Sequence, residues 1–94
     1  MGTELLSKED VSRELGKLPG WELRGGEIGR TFEFPDFAKA MGFTVSVSLL
    51  AEKANHHPDI DIRWNKVTLA LSTHSAGGLT AKDFALASKI EGLA

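Results

Sequence analysis

Ninety-four residues, 41% apolar and 26% charged, are expected to form one domain over residues 1–94, because a chain this short cannot enclose two cores. Eleven Lys and Arg against thirteen Asp and Glu leave a formal charge of −2, and the basic residues are scattered, which argues against direct electrostatic binding to nucleic acid. The absence of cysteine excludes disulfides and thiolate metal sites, and no apolar run approaches the ~20 residues that span a bilayer.

Met1-Gly2-Thr3-Glu4 has no signal-peptide character, and Gly2 lacks the spacing for myristoylation, so a cytoplasmic protein is expected. Ser7 with Asp10 three residues on predicts a helix start, and Leu6 and Val11 form its hydrophobic staple. Val11, Leu15 and Leu18 lie on one helical face, and Pro19-Gly20 is expected to stop the helix. A hairpin follows: Trp21–Arg24, a Gly25-Gly26 turn, then Glu27–Phe34. Its register pairs Leu23 with Ile28 and Trp21 with Arg30 on a face that Phe32 and Phe34 continue.

From Phe37 to Asn55 two periods compete. Phe37, Met41, Val45 and Leu49 are spaced by four, as in a helix, whereas Thr44–Leu49 alternates as a strand would. The Pro35-Asp36 start, the length and the Leu50–Ala54 composition favour a helix that Pro58 ends by about His57. One stripe, Met41–Val45–Leu49, is enough to cover a sheet, so Phe43, Val47 and Leu50 are surplus and point to a further contact. Ile60–Trp64 and Val67–Ser72 read as a second hairpin about an Asn65-Lys66 turn, with Ile62 opposite Leu69 and Ile60 opposite Leu71. Ser75–Gly78 is a loop, and Thr80–Asp83 is a second capping box, stapled by Leu79 and Phe84, with Ala87 and Ile90 carrying the apolar face. The order α-β-β-α-β-β-α implies an α+β domain with one four-stranded antiparallel sheet and its helices on one face. An edge strand would retain unpaired N–H and C=O groups, and no proline blocks the middle of Glu27–Phe34 or Lys66–Thr73, so pairing with a second copy is expected.

All three histidines lie between positions 56 and 74. Extending the second hairpin's register outwards sets His57 opposite His74, with His56 arriving from the helix end beside them. Imidazole exchanges protons near neutral pH, so such a cluster suits general acid–base chemistry. Other readings remain open. Histidines at a helix end also cap carbonyls. Glu52, Asp59, Asp61 or Asp83 with imidazoles would make a metal site, though no His-x-x-x-His spacing occurs. Gly77-Gly78 before a helix lacks a phosphate-loop pattern and reads as a turn. Trp64 reads as core packing at a strand end, or as an aromatic face for a flat ligand.

Glu52-x-x-x-His56-His57-Pro58, followed by Trp64, His74 and Asp83, resembles the signature of the pterin-4a-carbinolamine dehydratase family, as do Leu71-Ser72-Thr73-His74 and the Gly-Leu-Thr before Asp83. The resemblance spans about Leu5 to Leu93 and implies a helix over the ambiguous Phe37–Asn55 stretch. It implies dehydration of 4a-hydroxytetrahydropterin to quinonoid dihydropterin in tetrahydrobiopterin recycling, downstream of an aromatic amino acid hydroxylase and upstream of a reductase. No metal, nucleotide or redox cofactor is implied. By resemblance, His56 and His74 are acids and His57 holds the substrate and assists as base. Glu52, Asp83, Thr73 and Ser75 bind or orient, and Trp64 is structural. Asn55 departs from the family, whose members often carry an acidic residue there. The resemblance also implies dimers or tetramers. It leaves a second role open, since some animal members bind the dimerisation segment of a homeodomain transcription factor; a regulatory place in pterin or molybdopterin metabolism is a further alternative.

Overall fold

The computed structural model describes residues 4–94, so the readings made of Met1–Thr3 lie outside the described residues. The elements are α1 (Lys8–Leu15), β1 (Glu22–Arg24), β2 (Glu27–Glu33), α2 (Phe37–Ala54), β3 (Asp59–Arg63), β4 (Lys66–Leu71), a single 3-10 turn (His74–Ala76) and α3 (Ala81–Glu91). The strands form one antiparallel sheet in the order β1-β2-β4-β3. Its inner face contributes Ile28, Phe32, Val67, Leu69 and Leu71 to a single core, which α1, α2 and α3 close with Val11, Phe43, Val47, Phe84 and Ile90 among others. On the opposite face the hydroxyls of Thr31 and Thr68 pair across the strands at 2.8 Å. Among the described residues, no helix is long and apolar enough to cross a membrane.

Ser7 caps α1 by accepting from the Asp10 amide, and Arg13 holds the Asp10 carboxyl below the usual carboxylate range by hydrogen bonding. The helix ends at Leu15, earlier than Pro19-Gly20. Beyond it the amides of Lys17 and Leu18 bond back three residues instead of four, a tightening that still buries Leu18. The first hairpin has the expected register, Leu23 opposite Ile28. Trp21 and Arg30 meet at a common acceptor: the indole N–H and the guanidinium donate to Glu91 Oε2 at 2.8 and 2.7 Å. Arg30 also stacks 4.5 Å above the Phe32 ring, so the end of α3 is clasped to the sheet.

Three expectations are corrected. First, the α2 stripe is reversed. Ala40, Phe43, Val47 and Ala51 face the core, whereas Phe37, Met41, Val45 and Leu49 are exposed. The helix is apolar on both sides, so periodicity alone selects neither; Ala40 and Ala51 are small, which suits the stripe that must approach the sheet. Secondly, the second hairpin turns at Trp64-Asn65, and its register is displaced by two, with Ile60 opposite Leu69 and Ile62 opposite Val67. Asn65 is the cause. It is buried, its side-chain NH2 donates to Phe34 O at 2.8 Å, and its backbone carbonyl accepts from Phe34 N at 2.9 Å. Anchored there, it leaves Trp64 at the tip with φ 52° and 68% exposed, outside the core. A displacement of two keeps every side chain on its expected face. Thirdly, β2 and β4 are central strands, so the open edges belong to β1 and β3.

The C-terminus of α2 sets the course of the chain into β3. Asn55 takes the left-handed conformation (φ 52°, ψ 43°), and the His56 amide returns to Ala51 O at 3.1 Å. Asn tolerates this backbone better than most residues, and the closure fixes the chain direction into His56-His57-Pro58. Asn55→Ala should therefore lower the unfolding free energy by roughly 1 kcal/mol in urea titration, whereas Asn55→Gly should stay within about 0.5 kcal/mol of the parent. Leu69→Ala, a fully buried truncation, should cost about 2–5 kcal/mol in the same measurement.

Candidate active site

The chain leaves α2 through Asn55 and enters β3 at Asp59, while β4 ends at Leu71 and runs into the 3-10 turn. A bridge between Thr73 and Gly78 closes that turn, and Gly77 supplies the positive φ of 79° that its return requires. These two exits enclose a cavity of about 350 Å³ lined by His56, His57, His74, Asn55, Thr73 and Ser75, with Ser72 and Lys82 completing the wall. The three histidines therefore converge, although not through the ladder pairing expected for His57 and His74: β3 begins only at Asp59, and His74 lies beyond β4 in the 3-10 turn.

Each of the paired histidines has a carboxylate partner. His56 is largely buried, and its Nε2 lies 2.6 Å from Asp83 Oδ1. Asp83 is fully buried and accepts on Oδ2 from the Thr73 hydroxyl at 2.8 Å and the Thr80 amide at 2.9 Å. The Thr80 hydroxyl bonds Thr73 Oγ1 at 2.8 Å and accepts from the Lys82 amide at 3.2 Å. The capping box of α3 is thus also the support of His56. His57 is more open, its Nε2 lying 2.7 Å from Glu52 Oε1 on the preceding helical turn, with both side chains more than half exposed. A carboxylate accepts, so in each pair the hydrogen-bond network assigns the proton to Nε2 and leaves Nδ1 as the free nitrogen. His74 and Ser75 are exposed at the rim, and their side chains carry no hydrogen bond within the chain among the described residues.

The expected site residues thus fall into two kinds. His56, His57, His74, Thr73 and Ser75 line the cavity, whereas Glu52 and Asp83 stand behind it and hold His57 and His56. The Thr73 hydroxyl is committed to Asp83. Trp64 lies at the far end of the second hairpin and does not line the cavity, nor do Asp59 and Asp61. Among the described residues, no group of three or more His, Asp or Glu side chains is arranged to hold a metal ion. Sequence reasoning missed Asn55, Ser72 and Lys82 as wall residues. Lys82 had a visible signal, since it directly precedes the Asp83 of the capping box. Three more capacious grooves, of about 460, 540 and 360 Å³, are lined by no histidine: the first two have Lys8 and Lys39 as their only charged lining residues among the described residues, and in the third Asp10 and Glu14 are paired with Arg13 and Lys17, so none shows the convergence of proton-exchanging groups found here.

The two histidine–carboxylate pairs differ in burial and so in energetic consequence. Asp83→Ala strands the buried donors of Thr73, Thr80 and His56 and should cost about 3–5 kcal/mol of stability in denaturant titration. Glu52→Ala, at an exposed pair, should cost less than about 1 kcal/mol.

The family model described as "Pterin 4 alpha carbinolamine dehydratase" matches residues 4–93. A protein of Roseiflexus castenholzii, provisionally named pterin-4-alpha-carbinolamine dehydratase, is 58% identical over 87 residues, covering 93% of this chain and 94% of its own. One of Nocardia farcinica, with the same provisional name, is 52% identical over 94 residues, covering 100% and 99%. The crystal structure of a transcriptional coactivator/pterin dehydratase from Brucella melitensis superposes with a TM-score of 0.90 at 37% identity, over 95% of this chain and 97% of that one. The chain belongs to the pterin-4a-carbinolamine dehydratase family.

Proposed function

We propose that this protein is a 4a-hydroxytetrahydrobiopterin dehydratase, a hydro-lyase working in the cytoplasm on the carbinolamine left by an aromatic amino acid hydroxylase. The observation that carries the reading is the convergence of three histidines on one cavity, two of them held through Nε2 by carboxylates. The reaction breaks the C4a–O bond and needs two proton transfers. An imidazolium protonates the departing hydroxyl, which leaves as water. The N5 lone pair forms the C4a=N5 bond, and a neutral imidazole takes the N5 proton. One proton is given and one taken, so the number of protons on the histidines is unchanged, and exchange with solvent returns the proton from the base to the acid before the next turnover. Imidazole suits both transfers because its two protonation states coexist near neutral pH.

In this mechanism His56, oriented by Asp83, and His74, at the rim, act as acids. The 4a-hydroxyl exists on either face of the ring, and acids contributed by two separate segments allow both stereoisomers to react. His57, steadied by Glu52, positions the ring and collects the N5 proton. Ser75 and the backbone around Thr73 offer hydrogen bonds to the pterin edge. The chemistry draws on no metal, nucleotide or redox group.

The exposed stripe Phe37, Met41, Val45 and Leu49 supports a second feature of the reading, self-association into a homodimer or tetramer. The open β1 and β3 edges offer strand pairing as an additional contact. The same apolar stripe also favours an alternative role as a protein-binding module acting as a dimerisation or transcriptional cofactor, or as a regulator in pterin or molybdopterin metabolism. The Brucella protein, called a transcriptional coactivator as well as a pterin dehydratase, is in keeping with it.

His57→Ala should reduce dehydration of freshly generated 4a-carbinolamine by ~10²–10⁴-fold in stopped-flow absorbance, and His74→Ala should do so for the 4a-stereoisomer that His74 serves, each with an unchanged circular dichroism spectrum. Parental rates in both variants would remove the assigned site. Dialysis against a strong chelator should change neither rate nor thermal midpoint; a loss restored by zinc would favour metal chemistry. Light scattering at micromolar concentration should give at least twice the 10.2 kDa chain mass, falling towards it in Leu49→Glu, while a monomeric parent would contradict the assembly.

A further inference from the structure

The histidine cavity has a neighbour on the side of His56 and Lys82. A smaller cavity of about 110 Å³ shares His56 and Lys82 with it and runs between the end of α2 and α3, where Ala54, Ala85, Leu86 and Lys89 complete the wall. Its volume corresponds to about four water-sized groups at ~30 Å³ each. Lys82 and Lys89 lie seven residues apart on α3, two turns along one face and so roughly 10 Å apart, with Ala85 and Leu86 as the apolar floor between them. Among the described residues, no carboxylate lines either cavity. The acidic groups behind them have other partners: Asp83 holds His56, Glu52 holds His57, and Glu91 holds Arg30 and Trp21. Neither lysine takes part in an ion pair among the described residues.

Pterin chemistry gives this side cavity a purpose. C4a, where water is lost, is bonded to N5, and N5 is bonded to C6, the carbon that carries the substituent. A ring with C4a among the histidines therefore has its C6 tail starting two bonds away, at the histidine wall. The side cavity adjoins that wall at His56 and Lys82, and its own lining includes Lys89.

We propose that this side cavity is a subsite for an anionic C6 substituent, so that the preferred substrate is a pterin bearing a phosphate or carboxylate tail. The inference rests on the dehydratase reading and deepens it. Lys82 meets the tail where it leaves the ring, and Lys89 meets its charged end. The floor of Ala85 and Leu86 accepts the intervening carbon.

The test compares three 4a-carbinolamines, with 6-hydroxymethyl, its phosphate monoester and its carboxymethyl ether as the C6 group. At about 10 mM salt, kcat/KM for the phosphate ester should exceed that for the alcohol by roughly 3–10-fold, the scale of two partly exposed charge pairs. The advantage should shrink at about 0.3 M salt as screening shortens the range of the interaction. Lys89→Ala should bring the ratio of the two kcat/KM values close to one, and Lys89→Arg should keep it. A preference for the phosphate alone, or for phosphate and carboxylate alike, supports the subsite and distinguishes the two tails. Equal kcat/KM for all three substrates, or a preference indifferent to Lys89→Ala and to salt, overturns it while leaving dehydration standing. Failure to dehydrate any of the three overturns the dehydratase reading and the subsite together.

Discussion

A carboxylate without solvent is tolerated only when donors surround it, and the environment of Asp83 meets that demand from three directions. The Thr73 hydroxyl comes from the exit of β4, the Thr80 amide from the start of α3, and the His56 imidazole from the exit of α2. The exit of α2 is distant in sequence from the other two, which are neighbours, and the shared acceptor ties all three into one corner. The corner has two consequences. It starts α3 at a defined point, and it holds the His56 ring so that one nitrogen faces inwards to the acid and the other is free. Stability and proposed catalysis therefore rest on the same atoms, which is why a substitution at Asp83 cannot be read by activity alone.

The second constraint is the turn out of α2. Asn55 accepts a left-handed backbone, the His56 amide closes on Ala51 O, and Pro58 lies just beyond. Two adjacent histidines project in different directions, and here that difference is used: His56 turns towards Asp83 and His57 towards Glu52. An aspartate at position 55 would also adopt this backbone without great strain. In this chain Glu52 and Asp83 supply the two carboxylates, so the amide at 55 leaves neither histidine of the pair unpartnered.

Much of this was legible because it is local chemistry. Ser7, Asp36 and Thr80 cap helices through their own side chains, and the Gly25-Gly26 turn sets the first hairpin's register. The face of each strand in the second hairpin was legible too, because period two survives a displacement of two residues. What was not legible depends on distant partners. The turn at Trp64-Asn65 is chosen by a bond from Asn65 to Phe34, more than thirty positions away. The buried side of α2 is chosen by the sheet, since Met41–Val45–Leu49 and Phe43–Val47 look alike to any periodicity argument. The convergence of His57 and His74 was anticipated through a ladder that does not extend that far; it arises because two chain exits, from α2 and β4, share one end of the sheet. The bond between Asp83 and His56 crosses twenty-seven positions and left no local mark beyond the capping box.

The central claim is that acids from two separate segments, His56 and His74, serve the two faces of one bound ring. The most direct measurement is stopped-flow dehydration of the two separated 4a-stereoisomers by His74→Ala and by His56→Gln, whose amide can still donate to Asp83. Opposite selectivities are expected, each variant losing ~10²-fold or more on one isomer and far less on the other. Equal losses on both isomers in both variants, or no loss in either, would contradict it.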